Sequence, residues 1–167
     1  MEDVTDTVFR QILVKCGAPD VFFTEFTNVE GILSVGRKQV SQRLKFSQKE
    51  KPLIAQIWGM VPENFFKVAQ ILVDMGFDGI DINMGCPERR VIKMGACAAM
   101  INNPNLAAEI VAATREGANG LPVSVKTRIG VKEIVTEAWI DHLLSQKIDA
   151  LTVHGRTVKE MTDVPAH

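Results

Sequence analysis

Apolar positions along this chain follow two alternating rhythms. Short runs rich in Val and Ile have the length and composition of buried strands. They are Leu53-Ile54-Ala55-Gln56-Ile57-Trp58, Gly79 to Asn83, Val123-Ser124-Val125-Lys126-Thr127 and Ala150-Leu151-Thr152-Val153-His154. Val21-Phe22-Phe23-Thr24-Glu25 reads as a further strand near the start. Between these runs the period changes to that of a helix. Thr5 to Lys15 places Val8, Ile12 and Leu13 on an apolar stripe and meets a stop at Gly17. Pro62 opens a second helix, with Phe65, Val68, Ala69 and Leu72 facing inward and Gly76 closing it. Asn103-Pro104 caps and starts a third, running to about Arg115, and Thr136 to Ser145 forms a fourth. Val29 to Phe46 is mixed, a loop followed by an irregular helix.

Strands alternating with helices predict an α/β fold built of βα units around a parallel sheet. About five such units are visible, whereas a closed (β/α)8 barrel needs eight and typically ~250 residues. The chain therefore forms either a small open α/β sheet or an incomplete TIM-type barrel, and its motifs favour the second. No linker or repeat divides residues 1–167, which are expected to form one partial barrel domain. At 46% hydrophobic and 23% charged the composition is that of a globular protein. No apolar run approaches the ~20 residues of a membrane helix. The acidic start lacks a signal-peptide pattern, so a cytoplasmic location is expected. Three cysteines without a CxxC pair suggest neither a zinc site nor a disulfide framework.

Polar residues gather where the strands end. Gln56, Asn83, Lys126 and His154 lie late in four successive strands, and Thr24-Glu25 ends the first. In parallel α/β folds these ends share one face, and sites form there. Cys86 follows Asn83 on a loop stiffened by Gly85 and Pro87. By position alone it is equally a reactive thiol or a small buried hydrophobe. Cys16 and Cys97 lie in or beside helices and read as structural. Lys126, ending an apolar strand, requires an anionic or polar partner, with a salt bridge to Glu25 as the plain alternative.

Several ordered segments resemble the tRNA-dihydrouridine synthases, flavin enzymes that reduce uridine in tRNA. They are Met1 to Asp6 with Phe9-Arg10, Thr24-Glu25, Ala55-Gln56, Asp81 to Pro87, Val125 to Gly130, and Thr152 to Thr157. The resemblance implies FMN as cofactor, NADPH (or NADH) as electron donor and tRNA as partner and substrate, with no metal and no obligate protein partner. It makes Cys86 the proton donor to C5 of a uracil ring, opposite hydride arriving at C6 from reduced flavin. A thiol with pKa near 8.5 is mostly protonated at neutral pH and suits that role. Met1, Gln56, Lys126 and His154 would contact the flavin, Lys126 by stabilising negative charge on its reduced form. Asn83 and Arg128 would face the substrate, although Asn83 could instead brace its own loop. The resemblance also places the FMN phosphate loops and a carboxy-terminal helical tRNA-binding region outside this chain. Other FMN barrels, of the dihydroorotate or dihydropyrimidine dehydrogenase type, are the nearest alternative enzymes. An inactive truncated form is the non-enzyme alternative.

Seven basic residues follow the strand ends: Arg89, Arg90, Lys93, Arg128, Lys132, Arg156 and Lys159. On a chain of net charge −1 they are either a solvated rim or a phosphate-contacting face.

Overall fold

A computed structural model describes residues 4–167. Met1, expected to meet the flavin, lies outside that range. A six-stranded parallel sheet has β1 (Phe22–Phe23), β2 (Thr27–Asn28), β3 (Leu53–Trp58), β4 (Gly79–Met84), β5 (Val123–Arg128) and β6 (Ala150–His154). Its order is β1-β3-β4-β5-β6, with β2 beside β1 on the same edge of β3. A doubly wound sheet reverses direction at a switch point, whereas a barrel adds strands in chain order. This sheet never reverses. It curls into a half-barrel of about five βα units.

The helices confirm the punctuation read from the chain. They are α1 (Thr7–Gly17), α2 (Val29–Ile32), α3 (Arg37–Val40), α4 (Pro62–Met75), α5 (Arg89–Lys93), α6 (Pro104–Gly117) and α7 (Thr136–Ser145). Pro62 and Pro104 each take the first helical turn, where a missing N–H costs nothing. Gly76 ends α4 at φ +82°, a left-handed cap suited to glycine. Gly117 lets α6 lie against α4, because a Cβ there would sit 2.3 Å from the Phe66 carbonyl oxygen. The mixed stretch 29–46 resolves into α2, α3 and the tight turn Ser41–Leu44.

Side chains alternate across each strand, and the two faces differ in chemistry. Leu53, Ala55, Ile57, Ile80, Ile82, Met84, Val123 and Val125 take one face. All are fully buried, in one core with Phe65, Val68, Leu72, Ile110 and Val111 of α4 and α6. Gln56, Asp81, Asn83, Ser124, Lys126, Thr152 and His154 take the other, concave face. Each fully buried Ile or Leu contributes roughly 1.5–3 kcal/mol, so the apolar face anchors the sheet and fixes which residues the concave face presents.

A buried ion pair holds α1 down. Arg10 Nε lies 2.7 Å from Glu50 Oε2, and both side chains are almost wholly buried. No helix among the described residues is long and apolar enough to cross a membrane.

Candidate active site

The ends of β3–β6 and the loops after them line a cavity of about 700 Å³. Gln56, Asp81, Asn83, Cys86, Lys126, Arg128 and His154 all face it, with Phe23 and Phe26 as apolar walls. The structure thus brings together every described residue that the resemblance assigned to the flavin, the substrate base or the proton transfer. Cross-strand register explains this. Gln56 pairs with Asp81 and Asp81 with Ser124, while Asn83 pairs with Lys126 and Lys126 with Thr152. Arg128 pairs with His154 one step further on.

On one side of the cavity the polar groups satisfy one another. Gln56 Nε2 donates to Asp81 Oδ2 at 2.7 Å, and Ser124 Oγ donates to Asp81 Oδ1 at 2.5 Å. Asn83 Nδ2 donates to Gln56 Oε1 at 3.1 Å. Asn83 Oδ1 accepts the backbone N–H groups of Gly85 and Cys86, both at 3.0 Å. Asn83 therefore braces its own loop while still lining the cavity. Burial raises the pKa of Asp81, against the opposing pull of Ser124, Gln56 and Lys126.

The other side is open. Lys126 makes no hydrogen bond or ion pair among the described residues, and Glu25 lines a separate cleft with Arg43 and Lys45. His154 lies beside Arg156, whose guanidinium approaches His154 Nε2 at 3.1 Å. Burial first, and then Arg128, Lys126 and Arg156, push the pKa of His154 below its ordinary value, so the imidazole is neutral at pH 7.

Arg128 differs from the other basic residues. It is 6% exposed, donates from Nε to Gly85 O at 2.9 Å, and donates from Nη1 to Thr157 O at 3.0 Å. It ties the Cys86 loop to the segment after β6 rather than standing on an outer rim. Arg89, Arg90, Lys93, Lys132 and Lys159 are exposed.

Three features were not legible from the sequence. Asp81 lies in a family-like motif but had no role assigned to it, although an acid inside an apolar strand always requires partners. Ser124 carried no signal. Cys97, read as a plain hydrophobe, is fully buried at a left-handed φ of +51° and hydrogen-bonds Cys86. That bond, followed by burial, raises the Cys97 pKa.

A half-barrel of parallel βα units, with a half-buried cysteine, a lysine and a neutral histidine lining one strand-end cavity, defines a barrel-type α/β protein with a site of enzyme character. Sequence comparison narrows the class. The dihydrouridine synthase family pattern matches residues 1–167, and the chain belongs to that family. It is 50% identical over 169 aligned residues to a probable tRNA-dihydrouridine synthase of Staphylococcus aureus (strain COL). It is 47% identical to the probable tRNA-dihydrouridine synthase 2 of Bacillus subtilis (strain 168). Both alignments cover all of this chain and 51% of the relative, so the chain spans about half the length of the curated relatives it matches.

Proposed function

We propose that this chain carries the catalytic half-site of an FMN-dependent tRNA-dihydrouridine synthase, an oxidoreductase that converts uridine in tRNA to 5,6-dihydrouridine. The observation that supports it most is the single cavity that brings the Cys86 loop together with Lys126, which makes no hydrogen bond or ion pair among the described residues. A half-buried ammonium that makes no hydrogen bond or ion pair among the described residues, and only a through-space attraction to Asp81, suits a planar ring that gains negative charge, and neutral His154 adds a hydrogen-bonding edge without competing for that charge. Phe23 and Phe26 supply apolar surface for such a ring. The residues present therefore fit a flavin ring, held by Gln56, Lys126 and His154.

When bound and reduced by NADPH, that cofactor supplies hydride. The protein's own part is to position and to protonate. The loop after β4 carries Cys86 to the cavity mouth, and Asn83 and Arg128 fix its backbone from two sides through Gly85 N–H and Gly85 C=O. The Cys86 thiol gives its proton to C5 of the uracil ring and is left as thiolate. Arg128, close enough to interact electrostatically with Cys86, stabilises that thiolate. A buried guanidinium beside a leaving proton is general acid catalysis with a built-in counter-charge. The Nη2 group of Arg128 and the amide of Asn83 remain the natural contacts for the substrate base. A uridine within folded tRNA must be extruded to reach this cavity. Exposed Arg89, Arg90 and Lys93 on α5, beside the Cys86 loop, suit the flanking phosphates.

The test is direct. The protein is incubated with FMN, NADPH and unmodified tRNA transcript, and dihydrouridine is measured by mass. The reading expects dihydrouridine that depends on both flavin and reduced nicotinamide. A protein that binds FMN yet leaves every uridine intact would overturn it.

A further inference from the structure

Asp81 sits at the head of a directional chain of hydrogen bonds. Asp81 is 1% exposed, and Gln56 and Asn83 are each 7% exposed, so none of the three can exchange these partners freely for water. Each amide has one oxygen that only accepts and one nitrogen that only donates. The direction of the whole series therefore depends on its first member. Asp81 has no N–H to offer, so Gln56 must present Nε2 to it. Gln56 Oε1 then faces Asn83 and takes its Nδ2. Asn83 Oδ1 is left pointing at the N–H groups of Gly85 and Cys86. Were Gln56 reversed, Asn83 would reverse in turn and set its own N–H2 against those two donors. A proton on Asp81 Oδ1, received opposite Ser124, would turn the serine into the acceptor and leave the direction unchanged.

We infer that Asp81 is a positioning residue for Cys86: by fixing the direction of the Gln56 and Asn83 amides in series, it holds the backbone of the Cys86 loop. It touches neither Cys86 nor its loop and acts only through the two amides. The inference builds on the proposed role of Cys86, but its test needs neither flavin nor tRNA, so the two can fail separately.

The experiment is site-resolved alkylation of the 167-residue chain by iodoacetamide. Each cysteine is followed by peptide mass, with exposed Cys16 as internal reference and melting temperature recorded for every variant. Asp81→Leu keeps the approximate shape but offers Gln56 no acceptor, so the series loses its direction. Alkylation of Cys86 should then rise about tenfold relative to Cys16, the effect of losing one hydrogen bond of ordinary strength. Asp81→Asn can turn its N–H2 to Ser124 Oγ and keep its oxygen towards Gln56, so it should stay within about twofold of the parent. Combining Asp81→Asn with Gln56→Glu moves the carboxylate one strand along. The new amide donates to it, Asn83 Nδ2 donates to its other oxygen, and Asn83 Oδ1 again meets the loop. That double variant should also react within about twofold of the parent. Should Asp81→Leu fail to fold, the double variant decides alone, since a kept direction predicts a folded chain with a parent-like rate. An Asp81→Leu rate equal to the parent's, or a double variant that unfolds or reacts about tenfold faster, would overturn the inference.

Discussion

β4 and β6 carry the same alternation of residues and end in different surroundings. In β4, Ile80, Ile82 and Met84 point to the helices and Asp81 and Asn83 point to the cavity; in β6 the corresponding sets are Leu151 with Val153, and Thr152 with His154. All six residues of β4 are buried, whereas Thr152 and Val153 are exposed and none of β6 is buried. The difference lies in the neighbours, not in the pattern. β4 is paired on both sides, and β6 is paired only with β5 among the described residues. Burial then decides the fate of the polar positions. Asp81 and Asn83 are enclosed, so Asp81 is matched internally and becomes scaffold, while Asn83 commits its oxygen and one N–H to the protein and keeps only its second N–H for a ligand. Lys126 and His154 are partly open, so their polar atoms stay available for a ligand.

The largest consequence concerns stability. Ile82→Ala should cost about 2–5 kcal/mol in denaturant unfolding, the range for truncating a buried aliphatic side chain. Val153→Ala, at 41% exposure, should cost below about 1 kcal/mol. Equal costs would mean that the two strands do not differ in burial as described.

Lys126→Met should separate ligand binding from folding. Among the described residues the variant loses no hydrogen bond or ion pair, only a through-space attraction to Asp81, so its melting temperature should stay close to the parent's. FMN affinity, followed by flavin fluorescence, should fall by about tenfold or more, since a hydrogen bond to a charged group is worth roughly 1.5–3 kcal/mol. A clear loss of stability with unchanged flavin affinity would place Lys126 with the scaffold instead.

The basic residues divide in the same way. Reversing Arg89 and Arg90 should weaken tRNA binding with folding intact. Each phosphate no longer neutralised should lower the log–log salt slope by ~0.7–0.9. An unchanged slope would make them a solvated rim. Arg128 belongs to the other group, because its donors hold two backbone carbonyls.

The smallest effect concerns pH. His154 has its pKa lowered in the folded state, so the unfolded chain takes up this proton first as pH falls below about 6.5. Its contribution is thus intact above that value and declines as pH drops through the lowered folded value. Urea midpoints measured from pH 7 to pH 5 should fall slightly less steeply for His154→Gln than for the parent. Parallel curves would contradict the direction of the shift.

Much of this was legible in the sequence for physical reasons. From Leu53 onward every strand lies within one residue of its expected span, because β-branched runs bounded by Gly and Pro leave few other conformations. The first strand was not so clear. Val21 to Glu25 reads as continuous, yet the strand breaks after Phe23 and resumes at Thr27. There Thr24 Oγ1, in place of a backbone carbonyl, accepts the Gln56 N–H. Such side-chain substitution in a ladder leaves no periodic trace. The strand-end positions of Gln56, Asn83, Lys126 and His154 followed from period and topology. The inward tie of Arg128 and the hydrogen bond between Cys86 and Cys97 did not. Both depend on how loops far apart in sequence fold over the strand ends, which hydrophobic pattern does not encode.

The central claim is that Cys86 supplies the proton. It is tested most directly by the rate of dihydrouridine formation in tRNA by Cys86→Ala beside the parent, both loaded with FMN and supplied with NADPH. Flavin affinity and melting temperature serve as controls. The account predicts a loss of ~10²–10⁴-fold in rate with both controls nearly unchanged. An undiminished rate would contradict it.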